Sequence, residues 1–487
     1  MQLSLYDTIN DSNDTSNANR CINQFPIHMP GKVKFIDLFA GIGGMRCGFE
    51  IACKNKGIET ECIFTSEIKP SAIQILKQNN PDDEIHGDIT LVDAQTIPDF
   101  DILLAGFPCQ AFSSAGKRMG FQDTRGTLFF DVERILREKK PFGFVLENVE
   151  GLITHDRKNS SDRIGRTLII ILRCLNELGY NVSWRVLNAN DFGVPQERKR
   201  VYIVGTKGET PSIDSFAEKR SVLNDVLEKG IPTKKSRFID LLLSHYSIDD
   251  LYGRAIKDKR GGTNNIHSWD IELKGSVTDE QIDLLNLMMR ERRKKKWANE
   301  YGIDWMDGMP LTINHIRTFF DCEDLEILLD DLVAKKYLKR EHPKQKKEGK
   351  RVQDYTLPVG YNIVAGKKSF EVSKILDPDG IAPTLVAMDM QHLFVVDNDG
   401  LRGLSLREGL KLFGFPDDFM FDIDTDSGYD LLGNTVVVPV ITAVSERVID
   451  EYIKEITNET YTSRGTRLAG CGRQDTGVAR ADQVFLR

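Results

Sequence analysis

From Val33 onward the chain sets short apolar runs between stretches whose apolar residues recur every three or four positions. The run VKFIDLF precedes GGMRCGFEIACKN, and TECIFTSEI precedes PSAIQILKQ; each pair reads as a strand followed by an amphipathic helix. FDILLAGF, FGFVLENV and RVYIVG add further strands. Strands that alternate with helices build parallel sheets, because each helix carries the chain back to the edge where the next strand starts. The pattern predicts an open, doubly wound, Rossmann-like α/β domain over residues 31–205, with helices on both faces of the sheet.

After Gly205 the rhythm is lost. Residues 206–424 mix charged helices, glycine-rich turns and short strands, which predicts a second, smaller domain inserted into the first. Order returns near Gly403, and YDLLGNTVVVPVITAVSERVIDEYIKEI, within 425–459, reads as one more strand, turn and helix of the first domain. Residues 1–30, rich in Asn, Asp, Ser and Thr, read as a mobile lead-in, and residues 460–487 as a disordered tail.

Composition narrows the function classes. At 487 residues and 40% hydrophobic content, the chain is large enough for two or three domains. A formal net charge of −8 argues against a uniformly basic nucleic-acid binder, so any polyanion contact must come from local clusters of Lys and Arg. The eight cysteines form no Cys-x-x-Cys pair and have no histidine at metal-ligand spacing, which predicts neither a disulfide framework nor a metal site. No segment reads as long and apolar enough to span a membrane, and the opening MQLSLYDTINDSNDTSN lacks the plan of a signal peptide. A soluble, intracellular protein is expected.

Candidate chemistry gathers at the strand ends. FIDLFAGIGG, residues 35–44, runs from a strand through a glycine-rich turn, with Gly41 and Gly43, into a helix. Such turns let a ligand approach the backbone and point helix amides at an anion, though they also serve plain strand–helix packing. Glu67 ends the second strand, where doubly wound folds place a carboxylate on ribose hydroxyls, and Asp88 follows the next; ordinary loop acids fit the same positions. Cys109, in LLAGFPCQAFSSAG, lies beyond a strand end on the same sheet edge. A bare cysteine is more often a buried core thiol, but this placement suits a nucleophile. Glu147, in FGFVLENVEGL, sits beside an apolar run that can hold a carboxyl protonated for acid work, and is otherwise a loop acid. Arg198 and Arg200, at period two in PQERKRVYIVG, point to one face, as cationic groups of a site or as protective charges on an edge strand.

Taken together, the blocks resemble those of the DNA (cytosine-5)-methyltransferases of bacterial restriction-modification systems. The likeness covers Val33–Gly205 and about Thr384–Val448. It rests on ten blocks in family order: FIDLFAGIGG, SEIKP, GDIT, GFPCQAFSSAG, DTRGTLFFDVERIL, LENVEGL, LNANDFGVPQ, QERKRVYIVG, LRGLSLREGLKLFGFP and YDLLGNTVVVPV. Ser405-Leu406 stands where many members have Thr-Pro, a change expected to affect packing only. The resemblance implies that Cys109 is the nucleophile, Glu147 the partner of cytosine N3, and Arg198 and Arg200 the groups that position base and carboxylate. Phe39, Gly41, Gly43, Glu67, Asp88, Leu128 and Asn434 would line a pocket for S-adenosylmethionine. Gln110 and Ser113, in a mobile loop over residues 110–127, and Thr384, in a Thr-Leu pair with Leu385, would face DNA. It further implies a monomer in the bacterial cytoplasm, acting on double-stranded DNA with a short specific target and accompanied by a separately acting restriction endonuclease.

For the recognition region the resemblance says little. RERRKKK, residues 290–296, and KKYLKREHPKQKKEGKR, residues 335–351, are strongly basic and suit phosphate contacts. The stretch around them reads as helix, turn, helix and basic hairpin, like a winged helix, with Lys346, Lys347 and Lys350 on the hairpin; a merely solvated face fits the charges too. Three rivals remain at this level. An RNA cytosine methyltransferase would share the catalytic blocks, a silent DNA-binding relative would lack the nucleophile or the acid, and a nicotinamide oxidoreductase would explain neither Pro108-Cys109-Gln110 nor Gln196–Arg200.

Overall fold

Strands β1 (Val33–Leu38), β2 (Thr60–Ser66), β3 (Ile85–His86), β4 (Ile102–Ala105), β5 (Gly143–Val149), β6 (Asn181–Asn188) and β7 (Lys199–Thr206) form one sheet, ordered β3-β2-β1-β4-β5-β7-β6. The computed structural model describes residues 32–108, 128–159, 161–258, 264–303, 308–347, 350–364 and 370–469, with side chains to residue 458 apart from that of Lys347. Strand order reverses between β1 and β4, which leaves a crevice at their carboxyl ends. The pairings among β1 to β5 are parallel, whereas β7 runs antiparallel to both β5 and β6. The expected parallel sheet therefore gives way at one edge to a mixed one. β6 was not among the expected strands, although Val182, Trp184 and Val186 alternate with polar or solvent-side neighbours and pack on the core.

Helices cover the sheet on both faces. Phe129, Val132 and Ile135 of α3 (Leu128–Lys139) and Leu168 and Ile171 of the helix Arg166–Glu177 pack with Ile36, Leu103, Leu146 and Ile203 of the sheet. Helix α1 (Gly44–Asn55) meets the helix Val438–Ala469 so closely that a Cβ on Gly48 would lie 2.6 Å from Cβ of Ile441. Helix α2 (Pro70–Asn79) begins with proline at its first turn, where the missing amide costs no intrahelical bond.

The returning segment differs from the expected strand, turn and helix. YDLLG lies within the helix Thr425–Gly433, started by Asp424, whose carboxylate accepts the Ser427 amide at 3.0 Å. No strand follows; of the β-branched run TVVV, residues 435–437 form the connection and Val438 starts the next helix, and Val436, Val437 and Val438 are buried, so its apolarity serves packing rather than pairing. The second helix continues to Ala469, past the tail boundary expected at 460, because an existing helix extends one bond per residue without a new nucleus. Residues 470–487 lie outside the described residues. By length and composition alone, Thr425–Asn458 also passes as a membrane span, contrary to expectation, but 67% of its most apolar stretch is buried inside the protein, as in a core helix.

Residues 32–453 form one compact unit. Within it, the chain between β7 and the return builds two further apolar clusters. Phe238, Leu242, Ile256, Ile266, Phe394 and Leu401 share a cluster around a five-stranded sheet, in which Leu393–Asp397 pairs with Gly400–Gly403. The other cluster joins Leu284, Leu285 and Met288 of the helix Asp279–Glu291 to Ile316, Leu329, Tyr337, Leu338 and Ile363.

Gly48 gives a direct test of the α1 contact. Gly48→Ala places a methyl against the Ile441 side chain and against the Val438 carbonyl at 2.9 Å, and should cost about 1–3 kcal/mol of overpacking. Calorimetry should show a thermal midpoint lower by several degrees with secondary structure intact; an unchanged midpoint would mean that the two helices separate freely.

Candidate active site

Strand β5 ends in Glu147, Asn148 and Val149, and β4 ends two residues before Phe107 and Pro108. Glu147 is 9% exposed, and its Oε1 lies 3.2 Å from Nε of Arg200, which β7 places opposite Val149. Burial pushes the Glu147 carboxyl above the usual carboxylate range, and Arg200 and then Arg198 hold it back. Asn148 is buried and donates from Nδ2 to the Phe107 carbonyl at 3.1 Å, while its Oδ1 accepts the Val149 amide at 2.9 Å. One β-strand thus holds an acid and also fixes the backbone immediately before Pro108-Cys109. Cys109, Gln110 and Ser113 themselves lie outside the described residues.

Arg198 is placed differently from Arg200. It is 3% exposed, and it donates to the carbonyls of Leu385 at 2.9 Å, Thr435 at 2.8 Å and Gly433 at 3.3 Å, with its guanidinium 5.1 Å from the centre of the Phe413 ring. Its cation acts on Glu147 through the field, and its donors hold the returning chain. Gln196, fully buried, adds to that hold: Nε2 donates to Leu412 O at 2.7 Å and Oε1 accepts the Leu385 amide at 3.3 Å. Thr384, exposed next to Leu385, donates its hydroxyl to the Glu197 carbonyl at 2.5 Å. A cavity of about 350 Å3 opens here, lined by Glu150, Gly151, Lys199, Arg200 and Thr384. A larger cleft of about 460 Å3 near Phe192, Phe216 and Pro439 holds none of the candidate residues.

Across the crevice lies the candidate cofactor region. Phe39, Gly41 and Gly43 all have positive φ (57°, 55° and 88°), which turns the chain sharply between β1 and α1. A Cβ on Gly41 would meet nothing within 4 Å, so the turn leaves open space for a ligand. Glu67 Oε2 accepts the Gly41 amide at 2.7 Å and Oε1 accepts those of Ile68 and Lys69, each at 2.8 Å. Three amides take three of roughly four lone-pair sites and leave room for a hydroxyl donor. Asp88 sits past β3 as the cap of a short turn: Oδ1 accepts Thr90 N at 3.0 Å and Oγ1 at 2.8 Å, while the residue remains exposed. Asn434 donates to Asp430 O at 2.7 Å, and Asp430 pairs with Lys69, beside Glu67. Leu128 opens α3 half-buried. These positions suit a nucleoside with a charged substituent: acceptors for hydroxyls, an aromatic ring, and open backbone at a turn.

The chain matches the family model for C-5 cytosine-specific DNA methylases over residues 33–450. It is 62% identical over 418 residues to the Type II methyltransferase M.NlaIV of Neisseria lactamica, covering 86% of this chain and 99% of that relative. M.NgoBV of Neisseria gonorrhoeae is 61% identical, with the same coverages. M.BanI of Aneurinibacillus aneurinilyticus is 42% identical over 458 residues, covering 88% of this chain and 98% of that one. The chain belongs to the C-5 cytosine-specific DNA methylase family. It is a DNA (cytosine-5-)-methyltransferase of Type II restriction-modification.

Several residues that shape this methyltransferase's site carry no role that the sequence alone makes visible. Gln196 stands inside one of the family blocks and Asn148 beside the candidate acid; only the fold reveals what their amides reach. Asp37, inside FIDLF, is fully buried on β1, and burial pushes its carboxyl up to about 8 against the pull of Arg46. An acid within an apolar strand was the available signal. Because the folded value lies above the ordinary 3.8, the native state keeps a proton that the unfolded chain releases, so this group's stabilisation fades as pH rises from about 4 to about 8. Asp37→Asn should remove that slope: in denaturant titrations at about pH 5.5 and about pH 8.5, the wild type should lose more stability than the variant. Equal losses would assign the pH dependence to other groups.

Proposed function

We propose that the enzyme methylates C5 of a cytosine flipped out of a short specific site in duplex DNA, with Cys109 as nucleophile and S-adenosylmethionine as methyl donor. The observation that carries this reading is the pairing of buried Glu147 with Arg200 on β5 and β7, while Asn148 fixes the chain entering Pro108-Cys109. C5 of cytosine is a poor nucleophile within the aromatic ring. Addition of the Cys109 thiolate to C6 breaks the C5–C6 double bond and makes C5 the carbon of an enamine, able to attack a methyl group. S-adenosylmethionine supplies that methyl on a sulfonium, and the turn at Phe39–Gly43 with Glu67, Asp88, Leu128 and Asn434 would hold it. Glu147, protonated or sharing its proton with N3, disperses charge on the ring as the thiolate adds. Water then takes the C5 proton, the electron pair it leaves re-forms the C5–C6 double bond, and the C6–S bond breaks to release the Cys109 thiolate and restore the ring.

The base must leave the helix for this chemistry, at a cost of a few kcal/mol in stacking and pairing. Gln110, Ser113 and Thr384 are proposed to face the DNA there. Residues 206–424 are proposed to choose the sequence, Lys346, Lys347 and Lys350 to meet its backbone, and the enzyme to act as a monomer in the cytoplasm beside a separately acting endonuclease. Arg200 keeps Glu147 oriented; Arg198 holds the strand end and the returning chain in register, so it acts through positioning.

Cys109→Ser should abolish methyl transfer and leave cofactor binding largely intact, since the cofactor region is formed by other loops. The wild type should also form an irreversible adduct with duplex carrying 5-fluorocytosine, because fluorine cannot leave as the C5 proton does. A serine variant that methylates at a comparable rate would sink the mechanism. Glu147→Gln should lower turnover by roughly 10^2–10^4-fold with a much smaller change in DNA affinity. A loss confined to affinity would make Glu147 a structural group.

A further inference from the structure

Between Asp279 and Ile363 the elements follow one order: the helix Asp279–Glu291, the short helix Lys295–Glu300, an extended segment at Leu311, the helices Ile313–Arg317 and Leu325–Ala334, the strand Leu338–Glu341, the ribbon Lys344–Lys347 with Lys350–Gln353, and the strand Gly360–Ile363. Leu338–Glu341 pairs antiparallel with Gly360–Ile363, and Leu311 and Tyr361 exchange backbone bonds at 2.9 and 2.7 Å on the other side. Three extended segments, with the middle one in chain order reaching the edge and a ribbon emerging between the last two, make the winged-helix topology. In a helix-turn-helix unit the second helix ordinarily enters the major groove. Here that helix would be Leu325–Ala334.

Its chemistry opposes that use. Residues 323–334 contain five acids, Glu323, Asp324, Glu326, Asp330 and Asp331, and no cation. Glu326 and Asp330 are exposed, and the cations nearest them, Arg317 and Arg340, are already paired with them, so this face offers a phosphate no surplus of positive charge. The ribbon has the opposite character: residues 344–353 carry five cations and one acid. Its register sets Lys346 directly opposite Arg351, and Lys346, Lys350 and Arg351 are exposed. Like charges opposed across two strands weaken a ribbon, and phosphates beside it would offset that repulsion. Tyr355, 77% exposed and set edge-on against His342 at 5.1 Å, adds a ring beside the cations.

We propose that this module binds duplex DNA through its wing, the paired strands Lys344–Lys347 and Lys350–Gln353 with Tyr355, and holds the helix Leu325–Ala334 away from the groove. The inference rests on the proposed duplex-DNA substrate and names the surface that meets it. Lys346→Ala with Lys350→Ala should weaken binding to target and non-target duplexes alike, on the order of tenfold at about 0.1 M salt, and flatten the salt dependence by about 0.9 for each phosphate no longer neutralised. Glu326→Gln with Ile327→Ser should leave affinity and the methylated sequence unchanged. Binding is read by titration with fluorescent duplexes, sequence by mapping methylated cytosines, and folding by thermal midpoint. An unchanged salt slope in a folded wing variant overturns the proposal, as does a changed target in the helix variant. Wild-type methyl transfer to duplex DNA is measured in parallel: its absence would defeat the substrate reading, whereas its presence with unaffected wing variants would defeat the wing alone.

Discussion

A chain that leaves its catalytic sheet at Thr206 and returns to it near Ala382 has to be closed where the two passages meet, and Gln196 and Arg198 close it. Both precede β7, both are buried, and their side chains reach main-chain atoms of Leu385, Leu412, Gly433 and Thr435. Hydrogen bonds from a charged donor are worth about 1.5–3 kcal/mol each, and a buried guanidinium without its acceptors costs more than the bonds contribute. The clamp therefore tolerates little change. Main-chain bonds extend it: the Glu197 amide donates to Ala382 O and the Ala382 amide to Pro195 O, each at 2.8 Å. From there the returning chain passes to α2, where Gln78 and Asn79 exchange amide bonds with Asp422 and Met420.

The position of Glu147 follows from that closure. β7 lies between β5 and β6, and its first residues present Arg200 to the carboxylate on one side while Arg198 grips the return on the other. Two tendencies meet at Glu147. Burial favours the neutral acid, and the two guanidinium groups favour the anion. Burial outweighs the two cations, and a carboxyl held above the usual range is what the proposed proton-sharing with cytosine N3 requires.

Strands β1, β2, β4, β5 and β7 and helices α1 and α2 were legible because they sit in a buried sheet, where hydrophobic runs and period carry the signal. β6 escaped because an edge strand leaves many positions half-exposed, and Ser183 and Arg185 interrupt its apolar look. The return was misread for the opposite reason: TVVVPV has strand-like residues, but the space it fills lies beside α1, where a Cβ on Gly44 would stand 2.8 Å from Val436. Local preference yielded there to tertiary packing. The blocks that carry the candidate residues were legible, and among the described residues the partner of each side chain was not. Arg198 and Arg200 look equivalent at period two, and only the fold sends one to carbonyl oxygens and the other to a carboxylate.

Charge shows the same limit. RERRKKK counts six cations, but Arg292 is 5% exposed and donates to Asn362 Oδ1 at 2.7 Å, and Lys294 lies 2.5 Å from Glu291. Asn362 in turn donates to Glu341 at 2.6 Å, so a basic run in sequence supplies part of the module's buried polar core. Accessible charge, not sequence charge, decides what a polyanion meets. In a protein of net charge −8, the proposed wing is a local exception, a narrow ribbon on which Lys346, Lys350 and Arg351 are exposed together. Backbone contacts carry no sequence information, so a duplex held by the proposed wing would be oriented by phosphate attraction before any base is read.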